Sequence, residues 1–148
     1  MMNRDRRREV ATLVAAAVFA GVVAAALRIA WKPPLYTYAE YVPISAVLAA
    51  LVAERLSASA LRMRDVLCDA VVVTLAAMRV IAPPLPFVSG HALVSGYGAL
   101  TARHWPLRVI AVLVLLHVIY TKVFITGGWT SMVAGFAVAI IVGASRRR

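Results

Sequence analysis

Acidic residues are scarce. The 148-residue chain holds 6 Asp and Glu against 16 Lys and Arg, and no acid follows Asp69. Chemistry that needs a carboxylate in the second half of the chain is therefore excluded. Cysteine is scarcer still: Cys68 stands alone, so no internal disulfide can form and a stapled secreted fold is ruled out. Charged residues reach only 15%, which argues against a disordered chain and against a cytosolic enzyme. Histidine is limited to His91, His104 and His117. No grouping of these with Cys68 or the acids has metal-ligand spacing, and the methionines are scattered, so neither a metal nor a cofactor is expected. Repeats, low-complexity tracts and linkers are also missing.

The bulk of the chain is apolar. Hydrophobic residues make up 63%, with a mean hydropathy of +0.86, where a soluble domain has about 45–50% apolar residues, glycine included. This composition predicts an all-α fold, a six-transmembrane-helix bundle forming a single integral membrane domain over 1–148. The apolar stretches place spans at about 10–31, 38–56, 66–82, 91–105, 107–125 and 130–145. Several are shorter than the ~20 residues a helix needs to cross a bilayer, so some start below the headgroups or sit in a thinned membrane. Pro33-Pro34 ends the first span, and Pro83-Pro84-Leu85-Pro86 breaks the chain after the third. The first apolar run exceeds the ~7–15 residues of a signal-peptide core and is read as a retained helix. Tyr36, Tyr38 and Tyr41 form an aromatic belt at the start of the second span.

The basic residues give the topology. Arg4, Arg6, Arg7 and Arg8 precede the first span; Arg55, Arg62 and Arg64 follow the second; Arg103 and Arg108 lie between the fourth and fifth. Arg146, Arg147 and Arg148 close the chain. All fall on one side, which the positive-inside rule assigns to the cytoplasm, with both termini. The net charge of +10 thus reads as orientation and attraction to anionic lipid. It does not suggest nucleic acid, because no basic stripe is interleaved with base-stacking aromatics. Arg28, Lys32, Arg79 and Lys122 are left at the outer ends of helices or in an outer loop, with Glu40 the one acid expected on that face. Singly each reads as a snorkelling side chain; together they suit a phosphate or carboxylate.

On that outer side lies Pro86-Phe87-Val88-Ser89-Gly90-His91, just before the fourth span. Ser89 can cap the helix, Gly90 permits close backbone approach, and the free N–H groups of a helix start attract an anion. His91 would stand at the rim as a proton donor to a leaving oxygen.

Ser-Gly-His after a proline-rich break, opening the fourth of six spans, resembles the second motif of the type-2 phosphatidic acid phosphatase family, which usually reads Pro-Ser-Gly-His; here Val88 takes the proline position. The first motif of that family ends the third span, where Arg79 precedes Pro83-Pro84 and is the basic candidate for binding phosphate. The third motif joins the fifth and sixth spans as Ser-Arg, then His, then Asp. Here Thr121-Lys122 stand for Ser-Arg, but the histidine position falls on Gly128 and the aspartate near Met132. The resemblance implies an outward-facing phosphate site in which Arg79 and Lys122 hold oxygens, Ser89 and Gly90 cradle the group, and His91 protonates the leaving group. The missing third-motif pair removes the family's phosphohistidine route.

His117 precedes Lys122 by five residues, ~7.5 Å deeper along an α-helix and on another face. It is expected to be buried and hydrogen-bonded with Thr121. Asp69, near the inner end of the third span, is expected to pair with a loop arginine. Gly135, Ala139 and Gly143 recur every four residues on the sixth span, as a small-residue packing face, and Gly96 and Gly98 serve likewise on the fourth.

The functional expectation is a phosphatase-like membrane protein that binds a lipid phosphate or pyrophosphate at its outer face. It would hydrolyse the ligand only through a non-standard nucleophile, such as water assisted by His91. The alternative is a catalytically inactive lipid-phosphate-binding or helper protein. A transporter or channel lacks support, since the spans carry no paired set of intramembrane charges and no repeat.

Overall fold

The structure, a computed structural model, describes residues 4–30, 35–57, 62–81, 88–125 and 127–147, without the side chains of Ala30, Tyr36, Arg79, Val80, Ile81 and Arg147. Lys32, Pro33-Pro34, the segment 82–87 and Arg148 lie outside the described residues, as does the side chain of Arg79. Among the described residues the chain is all-helical. The helices are α1 (Arg4–Ala30), α2 (Leu35–Leu56), α3 (Met63–Ile81), α4 (Gly90–Thr101), α5 (Trp105–Tyr120) and α6 (Trp129–Arg147), with α5 prolonged by a π-helical turn over Thr121–Ile125. Three of these are long and apolar enough to cross a membrane: α1, α5 with its π turn, and α6. α4, with 12 residues, is only ~18 Å long.

Successive helices run in alternate directions. Arg146 near the end of α6 reaches Asp65 and Asp69 at the start of α3, Arg55 at the end of α2 reaches Thr101 at the end of α4, and His104 before α5 lies 3.6 Å from Glu9 in α1. These ends, with the start of α1 and the end of α6 among them, therefore gather at one end of the bundle. The starts of α2, α4 and α6 and the end of α5 gather at the other.

α4 is the central element. Its residues Gly90 and Ala92 to Gly98 are all buried, and it packs on α2, α3, α5 and α6, whereas α1 packs mainly on α2. Small residues make this possible. A Cβ on Gly96 would come within 2.8 Å of the Phe136 ring, and one on Gly135 within 2.6 Å of the Ser89 carbonyl oxygen. Gly98 meets Val47 of α2 and Ala111 of α5 in the same close manner. The predicted small-residue face of the sixth helix is thus its contact with α4, with Ala139 fully buried between them. Leu93, Tyr97 and Leu107 are the largest apolar side chains at the centre.

Candidate functional site at the start of the fourth helix

The start of α4 is held by its own sequence and by its neighbours. Ser89 is the N-cap: its hydroxyl accepts from the Ala92 N–H at 3.4 Å, satisfying a donor of the first turn. Its N–H donates to the Ser131 carbonyl of α6 at 2.8 Å. Gly90 allows this turn to press against α3, since a Cβ there would sit 3.3 Å from the Ala76 Cα. His91 comes next, but its ring does not stand at a rim. It lies edge-on to Tyr41 of α2 with centroids 5.2 Å apart, and both ring nitrogens are shut off from the surface. The Ser95 hydroxyl donates to the His91 backbone carbonyl at 2.6 Å.

Lys122 reaches the same end from α5. The π turn inserts an extra residue into the helical count and rotates the side chains beyond it. Thr121 and Lys122 are buried and continue the inward face of α5 set by Leu107, Ala111, Val114 and Val118, while Val123, Phe124 and Ile125 stay exposed. The Lys122 ammonium donates to Glu40 of α2 at 3.3 Å, with both side chains mostly enclosed. Glu40 and Tyr41 are adjacent in α2, so Lys122 and His91 are anchored on consecutive residues. Gly127, at φ 65°, supplies the left-handed turn from the π segment into α6. The Gly128 carbonyl accepts from the Ser131 hydroxyl and the Met132 N–H.

His117 differs from expectation. Its side chain is exposed on the bundle, and the bond to Thr121 runs the other way, with the Thr121 hydroxyl donating to the His117 backbone carbonyl at 2.8 Å. The imidazole Nε2 instead lies 3.1 Å from the carbonyl oxygen of Ala39. The cause is Pro43 inside α2, which has no N–H for the carbonyl four residues before it, and that residue is Ala39. A carbonyl can only accept, so Nε2 carries the hydrogen. Replacing His117 with Phe should cost about 1 kcal/mol through the orphaned carbonyl. Pro43→Ala supplies an N–H and should erase most of that cost, which a double-mutant cycle of thermal midpoints in detergent would measure. Additive effects would disprove the coupling.

Sequence reasoning missed the largest polar cluster, which lies at the opposite end, where the termini are. Asp69 does pair with Arg55, at 3.2 Å, as expected of a nearby arginine, but it also accepts from the Tyr97 hydroxyl at 2.6 Å and from Arg146 at 3.4 Å. Arg146 bonds Asp65 at 3.0 Å, and Arg55 bonds Glu54 at 3.1 Å. Glu54 in turn accepts the backbone N–H groups of Arg103 and His104, at 2.7 and 2.8 Å, and so caps the start of α5 from another helix. Positive charge at Arg55 and Arg146 was assigned to topology alone; both are nearly enclosed. One signal was available: Asp65 and Asp69 are four residues apart on one helical face, in a chain with 6 acids.

The structure therefore brings Ser89, Gly90, His91 and Lys122 to one end of the bundle, and places α3, which carries Arg79, against Gly90. Among the described residues, no group of three or more His, Cys, Asp and Glu is arranged to hold a metal ion. Compared with known protein families, curated proteins and solved structures, the chain finds no match.

Proposed function

We propose that the protein is a six-span membrane protein with cytoplasmic termini, similar in architecture to the type-2 phosphatidic acid phosphatases, that binds a lipid phosphate or pyrophosphate at its outer face without turning it over. The observation that carries this reading is the hydrogen bond between Ser89 and Ser131. It ties the Ser-Gly-His segment to the stretch corresponding to the family's third motif, the two segments that share a phosphate in the family. Lys122, on the buried face at the end of α5, supplies the positive charge at that end of the bundle, with Arg79 as the second cation. Glu40 occupies Lys122 in the free protein. A phosphate with two negative charges competes with that single carboxylate for the ammonium.

Hydrolysis lacks its parts. Gly128 and Met132 offer neither nucleophile nor orienting acid, and the His91 ring nitrogens have almost no exposed surface. A general acid must come within hydrogen-bond reach of the leaving oxygen.

Equilibrium binding of phosphatidic acid to protein in phosphatidylcholine nanodiscs tests the reading. Lys122→Ala should weaken binding by about tenfold or more, as for loss of a charge-assisted hydrogen bond. Glu40→Gln should strengthen it by removing the competitor, and no phosphate should be released. Unchanged affinity in both variants would remove the site. Phosphate release abolished by His91→Ala would replace the binding reading with a hydrolase.

A further inference from the structure

A groove of about 340 Å³ runs between α2 and α3 at the end of the bundle that carries the termini, on a floor formed by α4. Its walls are apolar, with Leu51 and Val52 on one side, Val73 on the other and Val94 beneath. Val52, Val66 and Val73 are each more than two-fifths exposed, so the groove opens sideways to whatever surrounds the bundle. From Leu56 to Leu48 it extends ~12 Å along α2. Only one end is polar, where Arg55, Asp69 and Tyr97 line it.

The charge at that end decides what fits. The carboxylates are committed internally: Asp65 to Arg146, Asp69 to Arg55 and Arg146, Glu54 to Arg55 and two backbone N–H groups. Arg62 and Arg64 are exposed, pair with no carboxylate among the described residues, and stand within one turn of Val66 at the groove mouth. The mouth therefore presents uncompensated positive charge above an apolar channel that opens laterally.

We infer that this groove holds one acyl chain of an anionic phospholipid from the adjacent leaflet, with its phosphate at Arg62 and Arg64. The chain replaces exposed valine and leucine contacts along α2 and α3, and the headgroup meets the two arginines at the level where such residues attract anionic lipid. The Arg55–Asp69–Tyr97 cluster forms the polar boundary beside the headgroup and stays paired. This site is separate from the outer phosphate site and independent of it.

Photo-crosslinking tests it. Full-length protein is reconstituted in phosphatidylcholine vesicles containing phosphatidylglycerol with a diazirine on one acyl chain, and adducts are mapped by mass spectrometry. Labelling should concentrate on residues 48–56 and 66–73, and unlabelled phosphatidylglycerol should compete where added phosphatidylcholine does not. Removing the charges with Arg62→Gln and Arg64→Gln should lower groove labelling by about fivefold for each charge. Ala70→Trp, which fills the groove, should abolish it. The arginine variants change only exposed side chains, so they carry the test if the tryptophan variant fails to fold. Labels spread evenly over the exposed faces of α1, α5 and α6, equal competition by phosphatidylcholine, or protein–protein adducts from a second copy in the groove would each overturn the inference.

Discussion

Glu54→Ala will lower the stability of the bundle by about 3–5 kcal/mol, the range seen when one member of a buried charged pair is removed. The side chain is 1% exposed. One oxygen holds the Arg55 guanidinium and the other takes both backbone N–H groups ahead of α5. Truncation leaves a buried arginine short of one partner and two backbone amides without their acceptor. Glu54→Gln separates the two roles. Its amide oxygen can still accept from the Arg103 and His104 N–H groups, but it cannot neutralise Arg55, so it should fall between wild type and Ala. Thermal midpoints in detergent, followed by gel filtration, will order the three proteins. Equal midpoints for all three would mean that water already solvates this carboxylate.

Gly135→Val carries the second large effect. The Cβ of any residue at this position would lie 2.6 Å from the Ser89 carbonyl oxygen, with the Leu93 N at 3.3 Å. Both obstacles are backbone, which cannot swing aside as a flexible side chain would. α6 must therefore move away from α4 and stretch the Ser89–Ser131 hydrogen bond. Overpacking of this kind costs about 1–3 kcal/mol. Because the strain falls on the Ser89 turn of the proposed phosphate site, that proposal expects phosphatidic acid binding to be lost together with stability. Gly21 is the control: nothing lies within 4 Å of a Cβ there, and it sits in the middle of α1. Gly21→Ala should leave binding intact and raise stability by up to about 1 kcal/mol through helix propensity. A Gly135→Val protein as stable as wild type would show that the α4–α6 contact is looser than its geometry.

The α4–α6 contact shows how much was legible in advance. The four-residue spacing of Gly135, Ala139 and Gly143 announces a close helix contact, but only the packed structure identifies α4 as the partner. Helix number follows from hydropathy, and most boundaries fall within a few residues of the apolar runs. The exception is α1, which begins at Arg4 because backbone hydrogen bonding continues into the basic tail where hydropathy has stopped. Ser89 is recognisable as a cap because capping is local. His117 was misplaced because its partner is set by Pro43, far away in the chain and on another helix. Lys122 lies on another face from His117, as α-helical arithmetic expects, and that face is the buried one. Arg55 and Arg146 carry the charge that reads as orientation, yet three-dimensional pairing buries them with Glu54, Asp65 and Asp69.

The sequence by itself determined an apolar, all-helical chain, the end of the bundle on which most arginines gather, and the absence of a nucleophile and acid at positions 128 and 132. These are properties of composition and local spacing, and each can be counted along the chain. The tertiary structure alone decided that Glu54, Asp65 and Asp69 are gathered into one network, that Lys122 is held by Glu40, and that the His91 ring packs edge-on to Tyr41. Such outcomes depend on which helix faces meet. In a chain with so few charges, a carboxylate that is buried must find a partner, and for Glu54, Asp65 and Asp69 partners lie on other helices.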